Sequence, residues 1–316
     1  MAQSWVSVVI PTYGRDISLV SRAIESVLSQ TYPNTEAVVV DDNLLTSPFS
    51  AGIEAYCAQN DRIRYLKTLG KGGACAARNL GAANARGEYV GFLDDDDTWL
   101  PKKAEVSLRL FEKDVAMVGT RGWQITLNEK GAEVNRELYM GDLFVSEPTF
   151  TGMLRCDSIG TTSLALVHKL RFAECGGFRI DLPARQDYDC WLRILKKYRI
   201  VLSEECLFEH FIHPGEQISH NDAHALEGLK KVYQEFKPDF DGDKHAYAYI
   251  NMLILNRCRS LKMPLQEMLC LARILWVQPR YLGRYIADTT RNERLRDYLR
   301  RRQCNEASKS GEEAHE

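Results

Sequence analysis

The sequence predicts an α/β fold built on a parallel sheet with helices on both faces. Short apolar runs alternate with helically spaced apolar residues through the first half of the chain, the order expected of β-α-β units. The fourth apolar run then ends in four consecutive carboxylates, Asp94-Asp95-Asp96-Asp97. That places them at the carboxyl edge of the sheet, where such folds bind ligands.

The elements follow in order. Val6-Ser7-Val8-Val9-Ile10 is a β-branched first strand. Asp16 caps a helix in which Leu19, Val20, Ala23, Ile24, Val27 and Leu28 recur at helical spacing. Glu36 to Asp41 is the second strand, Ile53 to Ala58 a short helix, and Arg62 to Leu66 an alternating third strand. Ala74 to Ala85 is alanine-rich and helical, and Gly87 punctuates the start of the strand Glu88 to Leu93. Trp123 to Val134 reads as a hairpin about Asn128-Glu129-Lys130-Gly131, and Thr161 to Val167 as a strand. Asp187 to Lys197 is an amphipathic helix with Trp191, Leu192 and Leu195 at core spacing. Beyond about Asn221 only helices are expected, ending in a polar, disordered stretch from Asn305 to Glu316.

Composition narrows the function classes. The 316 residues are 45% hydrophobic and 27% charged, as in a soluble protein with a sizeable core. A net charge of −2 supplies no general attraction to nucleic acid. No apolar stretch approaches the roughly 20 residues of a membrane helix. The start, Met1-Ala2-Gln3-Ser4-Trp5, lacks the regions of a signal peptide. Nine cysteines without a CxxC pair point to reduced thiols, not disulfides or structural zinc. Together these predict a cytoplasmic protein.

Four adjacent anions repel one another unless a cation holds them. A hard divalent ion with oxygen ligands does so and keeps positions open for substrate phosphates. An acidic turn before a helix opened by Pro101 is the plain alternative. Pro11-Thr12-Tyr13-Gly14-Arg15 and Asp41-Asp42-Asn43 end the first two strands along the same edge. Tyr13 offers a flat face for a base, and Asp42 an acceptor for a base N–H. Taken singly, these are a surface aromatic and a turn former.

Taken together, the motifs resemble the family 2 glycosyltransferases, inverting enzymes of the GT-A fold. The resemblance rests on Ser7 to Tyr13, Ala23 to Tyr32, Val39 to Asp42, Ala77 to Gly81, Ala85 to Tyr89 and Phe92 to Trp99. It continues through Gly176-Gly177-Phe178 and Gln186 to Arg193, covering about residues 5 to 215. It implies a Rossmann-like mixed sheet flanked by helices, with a C-terminal helical appendage. The catalytic domain would span 1–220, its nucleotide-binding half about 1–100 and its acceptor half about 101–220. A helical region 221–304 and the tail 305–316 would follow.

The resemblance also implies site roles. Pro11, Thr12, Tyr13, Asp41 and Asp42 would hold the nucleotide, with Arg78 near the donor phosphates or base. Asp94-Asp95-Asp96 would be the DXD element, binding Mg²⁺ or Mn²⁺ and the donor ribose. Asp96 is the leading direct ligand and Asp94 the second. Asp187 would be the catalytic base, with Asp189 the alternative. Two residues on along a helix, Asp189 points elsewhere unless the helix begins late. The family usually has Glu-Asp at this helix start, where this chain has Gln186-Asp187. His213-Pro214-Gly215 is similar to a loop near the donor diphosphate in many relatives, making His213 a candidate for metal or phosphate contact.

The C-terminal segment carries an apolar face of Leu265, Met268, Leu269, Ala272, Leu275 and Trp276. Arginines crowd the same region, including Arg280, Arg284, Arg291, Arg294 and Arg300. Such helices suit an anionic bilayer surface or a packed appendage with solvated charges equally well. The expectation is a cytoplasmic, metal-dependent enzyme moving one sugar from a nucleotide-diphosphate donor to a glycan or lipid-linked acceptor. Membrane association would be peripheral, and nucleic acid is not a partner. A sugar-phosphate nucleotidyltransferase would need a glycine-rich loop after the first strand, which Pro11-Thr12-Tyr13-Gly14-Arg15 does not supply. A non-catalytic nucleotide-sugar-binding scaffold draws support only from Gln186.

Overall fold

The computed structural model describes residues 4–68, 70, 72–213 and 221–279. The chain forms two compact units, Met1–Phe236 and Lys237–Glu316.

The first unit opens with β1 (Val6–Thr12), α1 (Ile17–Leu28), β2 (Thr35–Asp41), α2 (Pro48–Cys57), β3 (Ile63–Lys67), α3 (Gly73–Asn84) and β4 (Tyr89–Phe92). These are the elements the apolar spacing predicts. Asp16 caps α1 by accepting from the Ser18 N–H at 2.9 Å. Every residue of β1 and β2 is buried, as expected for central strands covered on both faces. The unit continues through β5 (Thr98–Trp99), α4 (Lys103–Arg109), β6 (Val115–Leu127), β7 (Glu133–Leu138) and α5 (Phe150–Arg155). It closes with β8 (Ala165–His168), α6 (Lys169–Glu174), α7 (Gln186–Leu195), β9 (Arg199–Ile212) and α8 (Asp222–Glu235).

The strand order is β3-β2-β1-β4-β8-β6-β9-β5, with β7 also paired to β6. The strands β3, β2, β1 and β4 are mutually parallel. The parallel part, expected from the β-α-β series, ends there, and the rest bears out the mixed sheet. β8 runs antiparallel to β4 and β6, and β5 antiparallel to β9, so the sheet is mixed. The cause is the connection: β4 and β8 are joined by a long excursion rather than by one crossover helix. The apolar run from Thr161 is a strand only from Ala165, because Thr162–Leu164 forms a 3₁₀ turn capped by the Thr161 hydroxyl.

Two close approaches shape the site. A Cβ on Gly91 in β4 would overlap Trp99 Cη2. The bare glycine lets the Trp99 ring lie flat on the sheet, where its Nε1 donates to the Ser163 carbonyl at 2.7 Å. Further along, α8 belongs to the first unit, so the boundary falls at Phe236 rather than at residue 220. The reason is packing: a Cβ on Gly228 would overlap the Ala184 carbonyl, and Lys231 donates to the Asp181 carbonyl at 2.6 Å.

In the second unit, α9 (Lys237–Gly242) and α10 (Lys244–Ser260) precede α11 (Pro264–Val277). On α11, Cys270 and Ile274 are buried, while Leu265, Met268, Leu269, Leu275 and Trp276 are exposed. Among the described residues no helix is long and apolar enough to cross a membrane. The arginines expected beyond Pro279 and the tail 305–316 lie outside the described residues. Of the described cysteines, Cys57, Cys75, Cys175, Cys190, Cys258 and Cys270 are buried.

Candidate active site

The acidic run forms a tight turn after β4, closed by the Asp97 N–H donating to the Asp94 carbonyl at 3.0 Å. Neighbouring carboxylates on a turn alternate in direction, so the four acids do different work. Asp97 is fully buried. It accepts from Ser163 Oγ at 2.5 Å and from the Phe211 N–H at 3.1 Å, and it faces His210 Nδ1 at 3.0 Å. Burial alone would push the His210 imidazole down, but the adjacent Asp97 charge raises it to about 9.

The other three acids face the sheet edge. Asp94 Oδ1 accepts from Arg78 Nη2 at 2.5 Å and from Thr162 Oγ1 at 3.3 Å. Arg15 reaches Asp95 at 3.7 Å and Asp96 at 3.3 Å. Burial, followed by the neighbouring acids, raises Asp96 to about 7. Burial also raises Asp95 to about 6, with Arg15 offsetting part of the effect. Arg22 donates to the Asp96 carbonyl at 2.5 Å while its guanidinium stacks 4.1 Å from the Phe211 ring. Arg15, Arg22, Asp97 and His210 thus shape the turn. Sequence reading missed their contribution because they act through tertiary contacts to β1, α1 and β9.

The nucleotide-side residues lie beside this turn. Pro11 and Thr12 are buried at the end of β1, and Tyr13 is 57% exposed beyond it. Asp42 accepts from Thr68 Oγ1 and from the N–H groups of Gly72 and Gly73 at 3.0 and 2.7 Å. Asp42 therefore faces the entry to α3. Asp41, expected among the ligand contacts, instead anchors β2 to β3. It is fully buried, and both its oxygens are taken by Asn43, Tyr65 and Lys67 at 2.8–2.9 Å.

Across the turn, α7 begins at Gln186, preceded by Arg185 in a left-handed conformation (φ 65°). Asp187 lies in the first turn and accepts from the Tyr188 N–H at 2.8 Å. Burial raises its carboxyl above the usual range, with Arg185 and Arg78 opposing that rise. Arg78, paired with Asp94, thus also acts on the Asp187 carboxyl through its charge. Asp189 turns away, as the helical rotation requires. It is fully buried and accepts from Arg193 at 2.9 and 2.6 Å, and Arg193 in turn donates to the Gly177 carbonyl at 2.6 Å. The expectation of Asp189 as alternative base is corrected on this geometry: Asp189 fastens α7 to the Gly176-Gly177-Phe178 loop. Asn79 clamps that loop's far end, exchanging two hydrogen bonds with the Phe178 backbone at 2.7 and 2.9 Å.

His213 ends β9 beside Arg22, Arg15, Asp97 and His210. Burial and the two arginines push its imidazole down. Among the described residues its buried Nε2 has no hydrogen-bond partner. Pro214 and Gly215 lie outside the described residues. Among those residues, no three His, Cys, Asp or Glu side chains are gathered as a closed metal-binding group.

A mixed sheet of this order, with an acidic turn at its carboxyl edge and a facing acid on α7, defines the GT-A class. Residues 7–161 match the family "Glycosyl transferase family 2". The chain carries a family 2 glycosyltransferase domain, and that domain is of the glycosyltransferase enzyme class.

A glycosyltransferase of Rickettsia felis is 36% identical over 160 residues, 47% of this chain and 26% of the relative. The chain thus spans about a quarter of that relative's length. The putative colanic acid biosynthesis glycosyl transferase WcaA of Escherichia coli is 28% identical over 285 residues, covering 85% of this chain and 93% of the relative. An Escherichia coli UDP-Glc:α-D-GlcNAc-diphosphoundecaprenol β-1,3-glucosyltransferase, WfgD, is 28% identical over 196 residues, 62% and 71% of the two chains. Staphylococcus aureus TarS 1–349 with UDP-GlcNAc superposes with a TM-score of 0.59 at 18% identity, covering 87% and 82% of the chains. The mannosyltransferase PcManGT of Pyrobaculum calidifontis with GDP-Man and Mn²⁺ gives 0.58 at 18%, covering 89% and 83%.

Proposed function

We propose that this protein transfers a single sugar, with inversion, from a nucleotide-diphosphate donor to a hydroxyl of a glycan or lipid-linked acceptor. The observation that carries the reading is the acidic turn at the carboxyl edge of β4, where Arg78 pairs with Asp94 and Arg15 with Asp95 and Asp96. Relatives bearing names of polysaccharide and lipid-linked glycan synthesis, and structural neighbours holding UDP-GlcNAc or GDP-Man, support it.

The acids fit a divalent cation, Mg²⁺ or Mn²⁺. Burial and the neighbouring acids raise Asp95 and Asp96 to about 6 and 7, and His213 Nε2 is buried without a hydrogen-bond partner among the described residues. Asp96 and Asp94 would hold the ion, with His213 a further candidate. When bound, the ion would supply charge stabilisation for the departing diphosphate. Tyr13 offers its exposed ring to the base, with Pro11, Thr12 and Asp42 beside it. Asp95 serves the donor ribose, and Arg78 neutralises phosphate charge. Asp187 accepts the proton from the attacking hydroxyl, as a carboxylate within hydrogen-bond reach can do. The lipid-linked acceptor places the enzyme at the cytoplasmic face of a membrane, in peripheral contact.

The test is thermal stabilisation of the protein by nucleotide diphosphates and nucleotide sugars, with and without Mn²⁺. A metal-dependent rise for one nucleotide class, lost in Asp96→Ala, is the expected result. Folded protein that responds to none of them would transfer weight to the scaffold reading.

A further inference from the structure

The acceptor side of the site holds a second carboxylate that none of the roles above employs. Asp157 lies on the segment between α5 and β8, partly exposed, with Oδ2 3.7 Å from Arg185 Nη1. The N–H groups of Ile159 and Gly160 point at its Oδ1, at 3.5 and 3.3 Å.

Its segment is fastened to α7 at two further points. Tyr188 Oη donates to the Met153 carbonyl at 2.8 Å, and Trp191 Nε1 to the Gly160 carbonyl at 3.4 Å. A few residues later the same segment holds the acidic turn, through Thr162 on Asp94 and Ser163 on Asp97. One short stretch of chain therefore ties the start of α7 to the DXD element, and Asp157 sits at its α7 end.

We propose that Asp157 is a positioning residue for Asp187. Paired with Arg185, it surrounds the base with one carboxylate and one guanidinium and sets the charge state in which Asp187 meets the acceptor hydroxyl. This rests on Asp187 being the base. Arg185 is held for the task by its left-handed backbone, which leads directly into the Asp187 turn.

The charged and titratable groups facing Asp187 come from three directions. Arg185 precedes it on its own element, Asp157 and Tyr139 approach from the acceptor side, and Arg78 and Cys75 approach from α3. Asp157 is itself raised to about 6, first by burial and next by the Asp187 charge. A negative neighbour makes Asp187 a stronger base, and a positive neighbour makes it a weaker one.

The experiment is a ¹³C-carboxyl NMR titration of the full chain labelled at aspartate, with Asp187 assigned by its own substitution. It needs no substrate. Asp157→Asn is expected to lower the Asp187 midpoint by about one pH unit, and Arg185→Asn to raise it by about as much. A merely structural role would change stability without moving the two midpoints in opposite senses. Unmoved Asp187 midpoints in both folded variants would overturn the proposal. If Asp157→Asn does not fold, Arg185→Asn decides alone, because asparagine accepts the left-handed backbone. A separate transfer assay of Asp187→Asn isolates the base assignment. Retained transfer would remove that assignment while leaving the titration result readable.

Discussion

Asp97 and His210 face each other at 3.0 Å across the gap between the acidic turn and β9. The pair makes the last acid of the run a fastening for the sheet rather than a ligand for substrate. The His210 midpoint lies above its unfolded value, near 9 against 6.5. Its stabilisation is therefore fully present below pH 6.5 and is lost as pH rises through about 9. Wild-type stability should fall across that window by on the order of 3 kcal/mol or less, seen as a lower melting temperature. Asp97→Asn should lower stability throughout and flatten this pH dependence, read by thermal denaturation at pH 6 and pH 9.

Asp95 and Asp96 should make cation binding steeply pH-dependent. Asp96 must lose its proton to act as a ligand, and the neighbouring Asp95 adds a second negative charge once ionised; their midpoints stand near 7 and 6. Mn²⁺ affinity in the presence of a nucleotide diphosphate should fall as pH drops from 8 to 6. In Asp96→Asn most of the affinity should be missing at both pH values. Isothermal titration calorimetry at the two pH values reads the difference.

Asp187 and Asp189 should separate cleanly on substitution. Asp187→Asn keeps the hydrogen-bonding shape and should reduce transfer by about 10²–10⁴-fold with little change in melting temperature. Asp189→Asn leaves Arg193 short of its charge partner and should cost on the order of 3 kcal/mol in stability. Its folded fraction should still turn over. Activity assays paired with melting curves distinguish the two, and a reversed pattern would exchange their roles.

Gly91→Ala should destabilise the first unit by roughly 1–3 kcal/mol, because the new methyl meets the Trp99 ring. A urea unfolding midpoint lower than wild type, with an unchanged slope, would report this. Trp99→Leu in the same background should recover part of the loss by vacating that space.

Much of the nucleotide-binding half was legible because its signals are local. The β-branched runs of β1 and β2, the Asp16 cap and the alanine-rich α3 each lie within a dozen residues of sequence. The acidic run marked the carboxyl edge of the sheet, and helical rotation alone separated Asp187 from Asp189. The division of labour within the run was not legible, since Asp97 differs from its neighbours only through Ser163, His210 and Phe211. Asp41 and Asp42 are adjacent in sequence and both buried, yet only their tertiary partners distinguish an anchor for β3 from a residue at the α3 entry. Asp157 carried no motif at all. Its importance arises from Arg185 and from the packing of its segment on α7.

The pairing of β5 with β9 brings Thr98 to Glu209 across a sequence separation of 111 residues. Closing so long a loop is entropically unfavourable and is rewarded only once the intervening strands stand ready. The turn that gathers the carboxylates is fastened by this same late contact, through Asp97 and the backbone of Phe211. A ribosome-bound chain stopped before β9 would carry the parallel strands but not the clasp. Asp97 thus meets His210 and the Phe211 backbone only once β9 has been made, after Arg15, Arg22 and Arg78 have emerged.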